Sequence, residues 1–206
     1  MSVLNVKECP RCGAPSDQSK KNCEYCKAEF FVVKISYFKG LDNNEIKNYL
    51  SHFKKQVQTA PESHESHLGL GITYLELGVA ENAINSFERA ISISPDSAQS
   101  YFYSCLAKIN KRRIMIMTMK EISDLLKRID AARKIDESNA AYILLFAIIK
   151  RDYFFNNKFK DTYPYWDELL DMIHGAELDG KEVATIKKYT NVPDFDLYIK
   201  HVMLSA

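Results

Sequence analysis

Four of the five cysteines in this 206-residue chain lie between residues 9 and 26, and their spacing is its most constraining feature. The pattern is Cys9-x2-Cys12-x10-Cys23-x2-Cys26. Each Cys-x2-Cys pair is typical of a tight knuckle that offers two sulfurs on one side, and two such pairs can surround one tetrahedral Zn²⁺. Because four thiolates leave no coordination position open, the sequence predicts one structural zinc ion, not a catalytic one.

Two disulfides and a redox-active dithiol are the competing interpretations of these cysteines. Disulfides need an oxidising compartment, and the N-terminus MSVLNVKECP shows no apolar core or cleavage site of a signal peptide. A thioredoxin-type motif uses one Cys-x2-Cys pair at a strand–helix junction, whereas this chain has two pairs close together. Both arguments favour zinc. Gly13, directly after the first pair, is expected to adopt a positive φ.

The cysteine segments CPRCGA (9–14) and CEYCKAEF (23–30) resemble the short zinc ribbons of bacterial and archaeal proteins. The resemblance implies a small β domain, which we place at residues 1–40. The sequence departs from the family at Lys27, where glycine is usual, and this predicts a less regular second knuckle. The segment EFFVVKISYF (29–38) is rich in β-branched and aromatic residues, so we expect it to form the last strand of the ribbon.

The pattern becomes helical after Gly40, and its clearest part is the segment 67–95. Seven residues fall there at the intervals of a tetratricopeptide repeat (TPR), namely Leu70, Gly71, Tyr74, Ala83, Phe87, Ala90 and Pro95. This resemblance implies two antiparallel helices, near 64–77 and 80–93, with Gly78 at the turn. His67 stands where the repeat usually has a tryptophan-like residue.

One repeat cannot bury its own apolar faces, so we expect neighbouring helices on both sides. Apolar periodicity predicts further helices at 43–57, 97–110, 118–134, 140–155 and 163–173, and two capping helices at 181–189 and 194–204. The segment RRIMIMTM (112–119) makes the second repeat longer than the first. The predicted fold class is mainly α: a zinc ribbon followed by a TPR-like α-solenoid of antiparallel helix pairs over residues 41–206.

Composition and motifs exclude several classes of function. The chain is 46% hydrophobic and 27% charged, as in globular proteins. Its longest apolar stretch, residues 140–149, is too short to span a bilayer, so we expect a cytoplasmic protein without membrane contact. No phosphate-binding glycine loop or nucleophile elbow is present. His64 and His67 lack a third ligand, and Cys105 is expected to be a small buried residue. The sequence therefore predicts neither catalytic residues nor a small-molecule substrate.

Two surfaces are candidates for binding. TPR solenoids bind peptides along the concave face that the first helix of each repeat lines, which the resemblance assigns here to Leu68, Ile72, Leu75, Phe102, Leu106 and Ile109. The lysines and asparagines with which chaperone-binding TPR proteins hold a terminal carboxylate are absent. The groove is apolar, so it is predicted to accept an amphipathic helix or an apolar strand. The alternative is that the C-terminal helices of the chain cover these residues.

The second surface is basic. Residues 108–134 contain nine Lys and Arg against three Asp and Glu, a pattern typical of nucleic-acid binding and equally of a solvated helix face. The candidate contacts are Arg11, Lys20, Lys21, Lys111, Arg112 and Arg113. The function predicted first is an adaptor or scaffold for a protein or peptide partner. The alternative is a nucleic-acid-binding accessory factor that uses the ribbon and the basic segment.

Overall fold

The computed structural model describes residues 6–17, 21–30, 32, 34–193 and 195–203. It divides into two compact units, residues 1–95 and 96–206. The first unit contains the cysteine segment and three helices, and the second contains the remaining helices. The division at residue 40 between a ribbon domain and a helical domain stays a prediction.

The N-terminal β-structure is small. Strand β1 (Val6–Glu8) pairs antiparallel with β2 (Pro15–Asp17). The prediction of a strand over residues 29–38 is wrong: the described part of this segment has an isolated bridge at Glu29 and a 3₁₀ helix at Ile35–Phe38. Its apolar side chains are buried at irregular intervals, at Phe30, Val32, Ile35 and Phe38. Their density therefore reflects packing against neighbouring elements and not strand formation.

Three helices complete the first unit: α1 (Asn43–Thr59), α2 (His64–Glu76) and α3 (Ala80–Ile93). Glycines on α2 allow close packing on both sides. A Cβ atom at Gly69 would lie 2.6 Å from the Phe53 ring on α1, and one at Gly71 would lie 2.5 Å from the Phe87 ring on α3. The predicted helix pair is thus present, and α1 packs against α2 as the second helix of a preceding repeat would.

Antiparallel pairing continues in the second unit. Its helices are α4 (Ala98–Ile109), α5 (Met119–Ile135), α6 (Ala140–Lys150), α7 (Trp166–Met172), α8 (Gly180–Tyr189) and α9 (Phe195–Met203). Helix α6 continues into a π-helix, Arg151–Phe155. Helix α5 packs against α4 and α6, α8 against α4 and α6, and α9 against α7. The predicted helices, including the two at the C-terminus, are present within three residues of the expected bounds when the π-helix is counted with α6. Positions 194 and 204 of the last prediction lie outside the described residues.

The extension between α4 and α5 is held by a buried carboxylate. It contains a 3₁₀ helix, Ile114–Ile116, and lies against the π-helix. Asp152, which is fully buried, accepts hydrogen bonds from the backbone N–H of Met115 at 3.1 Å and from the side-chain amide of Asn156 at 2.9 Å. A buried carboxylate is stable only when its oxygens are bonded, so these contacts fix the loop to the helix.

Candidate functional site

The four clustered cysteines lie on two knuckles with the same backbone geometry. In the first, the N–H of Gly13 donates to the carbonyl oxygen of Cys9 at 2.9 Å; in the second, the N–H of Lys27 donates to that of Cys23 at 3.0 Å. Gly13 has φ 71°, as expected, and Lys27 has φ 59°. The prediction of a less regular second knuckle is wrong, because Lys27 adopts the left-handed conformation that glycine supplies in the first knuckle.

The sulfur positions suit a tetrahedral ion. The four Sγ atoms of Cys9, Cys12, Cys23 and Cys26 lie within 4.8 Å of one another. Two pairs between the knuckles are closer: Cys9–Cys26 at 3.7 Å and Cys12–Cys23 at 3.8 Å. A tetrahedron with metal–sulfur bonds of about 2.3 Å has sulfur–sulfur edges of about 3.8 Å. The four sulfurs are therefore close enough to bind one metal ion together.

Polar groups favour the thiolate of Cys23, whereas burial disfavours those of Cys9 and Cys26. The backbone N–H of Arg11 donates to the Cys9 sulfur at 3.4 Å, and the buried hydroxyl of Ser16 lies 3.4 Å from the Cys23 sulfur. Hydrogen bonds from the backbone of Cys26 and from Ser16 lower the pKa of Cys23 to about 6. Burial raises the pKa of Cys9 to about 12, and it also raises the pKa of Cys26. A bound cation removes this penalty because it compensates the thiolate charges.

The knuckles contain almost no apolar core of their own. Cys9 and Cys23 pack with Ala28 and Phe30, and Cys26 lies against this group. So small a cluster buries too little apolar surface to fold without a metal ion or a neighbouring helix. The sequence did not reveal Ser16 as part of the site. Its contact with Cys23 shows that β2 lies beside the second knuckle.

The predicted groove residues do not line an open surface. Leu68, Ile72 and Leu75 on α2 are buried, as are Phe102, Leu106 and Ile109 on α4. The 3₁₀ helix Ile35–Phe38 packs against α2, and α8 packs against α4. The prediction of a free apolar groove is therefore corrected, because these apolar faces are covered by other parts of the same chain. A partner that binds this chain needs a different surface.

The candidate nucleic-acid contacts come from both units. Arg11 pairs with Glu45 at 3.0 Å, Lys21 is exposed, and Lys20 lies outside the described residues. These positions belong to the first unit, whereas Lys111, Arg112 and Arg113 belong to the second.

Acidic partners offset much of the basic charge in residues 108–134. Within the described part of this segment, six of the nine basic side chains form ion pairs: Lys108, Arg112, Arg113, Arg128, Arg133 and Lys134. Paired charges attract phosphate less, so nucleic-acid binding stays a prediction of the sequence alone.

No family model and no curated protein matches the chain. A solved structure is similar to it: the crystal structure of a thermophilic TPR protein from Thermus thermophilus, with a TM-score of 0.50 and 13% sequence identity. The similarity covers 78% of this chain and 74% of that protein. None of the helices within the described ranges is both long and apolar enough to cross a membrane. The mainly α, TPR-like solenoid fold predicted from the sequence is confirmed.

Proposed function

We propose that this chain is a non-enzymatic, cytoplasmic adaptor that holds a protein partner on its TPR-like helices. The observation that carries the proposal is the stacking of antiparallel helices, with Gly69 and Gly71 at the contacts of α2 with its two neighbours. TPR and related repeats fold into extended surfaces whose usual role is binding other proteins. The fold supports this role by analogy, and the chemistry of a surface must identify the partner.

We also propose that Cys9, Cys12, Cys23 and Cys26 hold one structural Zn²⁺. Four cysteine sulfurs at tetrahedral spacing are the ligand set that structural zinc sites use, and closed coordination leaves no position for a substrate. The metal would stabilise the knuckles. The residues of this chain position the sulfurs, donate backbone hydrogen bonds to them and dock the knuckles on α1.

Affinity purification from the source cells, followed by reconstitution from purified components, tests the adaptor function. We expect a protein that co-purifies in high salt and forms a complex of fixed stoichiometry with the purified chain. High salt is decisive because binding to nucleic acid weakens steeply as salt rises. Recovery of nucleic acid alone, lost as salt is raised, would contradict the adaptor and favour the alternative function. The adaptor function would also be contradicted if none of the purified candidate proteins bound the chain.

A further inference from the structure

Arg151 projects among aromatic rings contributed by three parts of the second unit. Its guanidinium carbon lies 4.9 Å from the ring centre of Tyr198 on α9, 5.1 Å from that of Trp166 on α7 and 5.8 Å from that of Phe155 on the π-helix. The rings of Phe155 and Trp166 also meet edge to face at 5.7 Å. Cation–π contacts of this kind hold a guanidinium in a fixed place.

This guanidinium has donors but no acceptor. Among the described residues, no oxygen atom accepts a hydrogen bond from the guanidinium of Arg151. Its Nε is buried without a partner, and the residue as a whole is half-buried. The preceding residue shows the contrast, because the buried ammonium of Lys150 pairs with Asp161 at 2.6 Å and with the carbonyl oxygen of Thr162 at 2.8 Å. Because none of the residues that the structure describes supplies a counter-charge to this guanidinium, it is suited to receive one from a ligand.

Several large apolar side chains that follow Arg151 in the sequence are exposed. Phe155 is 57% exposed and Tyr165, next to Trp166, is 47% exposed. Other exposed large side chains of the same stretch are Phe159, Tyr163 and Met172. Arginine, tryptophan and tyrosine are the residues that dominate binding energy at protein interfaces, where a pocketed anchor is surrounded by contacts that exclude water.

We propose that Arg151, Phe155, Tyr165 and Trp166 form a docking site for a partner segment with one carboxylate beside a large apolar side chain. The planar guanidinium suits a carboxylate, and the exposed rings suit the apolar side chain. Asp167 is exposed next to Trp166 and would repel a second negative charge, so a run of acidic residues does not fit. This inference rests on the adaptor function and names the chemistry of its partner.

Selection from a library of random twelve-residue peptides displayed on phage tests the site. The zinc-loaded full chain serves as bait, and Arg151→Met serves as the counter-selection. We expect the peptides that prefer the wild type to share a single Asp or Glu next to an aromatic or aliphatic residue. An amidated synthetic peptide of that sequence should bind Arg151→Met at least about tenfold more weakly, because a charge-assisted hydrogen bond is lost. Arg151→Lys keeps the charge but loses the planar stacking, so we expect it to weaken binding as well.

Lys160→Met is the matched control, because Lys160 is an exposed cation nine residues away and should bind the peptide as the wild type does. An Asn or Gln replacement in the peptide should weaken binding to the wild type but cause no further loss with Arg151→Met, since both changes remove one interaction. The comparison of the acidic and substituted peptides on the wild-type chain keeps the test valid even if Arg151→Met is less stable than the wild type. The proposal would be overturned if the selected peptides lacked an acidic residue or if no peptide were enriched. It would also be overturned if the Asn- or Gln-substituted peptide bound the wild type as tightly as the acidic peptide does. The proposal would also be overturned if the wild-type chain self-associated and Arg151→Met did not, because the occupant of the site would then be a second copy of the chain.

The two proposals fail in distinguishable ways. If a purified partner binds Arg151→Met as tightly as the wild type, the adaptor function stands and this docking site is wrong. If peptides of the expected chemistry bind but no protein partner forms a complex, the docking site stands and the adaptor function is wrong.

Discussion

The hydroxyl of Tyr49 on α1 donates a hydrogen bond to the carbonyl oxygen of Glu29, which lies three residues beyond the last cysteine of the cluster, at 3.2 Å. The hydroxyl of Tyr37 lies 2.6 Å from that of Tyr49 and accepts a hydrogen bond from the N–H of Glu29 at 3.0 Å. Burial and this contact raise the pKa of Tyr49, so the side chain stays neutral and can donate. The two tyrosines thus join the cysteine segment to the helices.

Replacing Tyr49 by Phe should destabilise the first unit by about 1–3 kcal/mol, because the Glu29 carbonyl loses its donor and the Tyr37 hydroxyl loses a partner. Chemical denaturation followed by circular dichroism measures the change. Tyr25→Phe is the control, because Tyr25 is exposed and should unfold as the wild type does. Equal stability of Tyr49→Phe and the control would show that the hydroxyl network contributes nothing.

Zinc removal should unfold the cysteine segment and leave most of the helical signal in circular dichroism, because α1–α3 have apolar contacts of their own.

We expect elemental analysis to find one zinc per chain and to find less zinc in Cys12→Ser. Cys105→Ser should retain the metal, since Cys105 is buried between helices and its thiol lies 3.6 Å from the carbonyl oxygen of Leu125. Full zinc content in Cys12→Ser would contradict the four-cysteine site.

Zinc affinity should rise with pH. Ordinary thiols are mostly protonated at neutral pH, and in the folded segment burial raises the pKa of Cys9 to about 12 and also raises the pKa of Cys26. Binding must displace these protons, and acid therefore favours release of the metal. Titration calorimetry in buffers of different ionisation enthalpy measures the proton release. An affinity that stays constant from about pH 6 to 8 would contradict the prediction.

The helix contact at Gly71 should not tolerate even one added carbon. A Cβ there would lie 2.5 Å from the Phe87 ring, so we expect Gly71→Ala to lower the free energy of unfolding by about 1–3 kcal/mol through overpacking. The matched control is Gly180→Ala at the start of α8, where no atom lies within 4 Å of the added Cβ and φ is not positive. Thermal melts of the two variants that coincide would contradict the packing described for α2 and α3.

Replacing the buried Asp152 by Ala should release the loop between α4 and α5. The N–H of Met115 loses its acceptor and Arg113 loses its ion-pair partner. We expect limited trypsin digestion to cleave after residues 111–113 faster than in the wild type, because local unfolding exposes these sites. Asp167→Ala, which changes an exposed carboxylate, should leave the cleavage rate unchanged; equal acceleration in both variants would argue against an anchoring role for Asp152.

Local patterns in the sequence predicted most of the fold. The cysteine spacing and Gly13 predicted the first knuckle, because a Cys-x2-Cys turn is closed by hydrogen bonds within six residues. Apolar periodicity predicted the helices for the same reason, since an amphipathic face repeats every turn. Lys27 shows the limit of such patterns: the family glycine is missing, yet the backbone adopts its conformation.

The sequence by itself therefore determined the cluster of four cysteines, the helices and the small residues at the helix contacts. Only the tertiary structure decided which faces stay open. The sequence predicted that Leu68 and Phe102 line a groove, but both side chains are buried. Their exposure depends on segments distant in sequence: Ile35–Phe38 packs against α2, and α8 packs against α4. The rings around Arg151 likewise come from residues as far away as Tyr198. Spacing along a chain fixes hydrogen bonds within a turn or helix, whereas burial and a missing counter-charge depend on which distant elements meet.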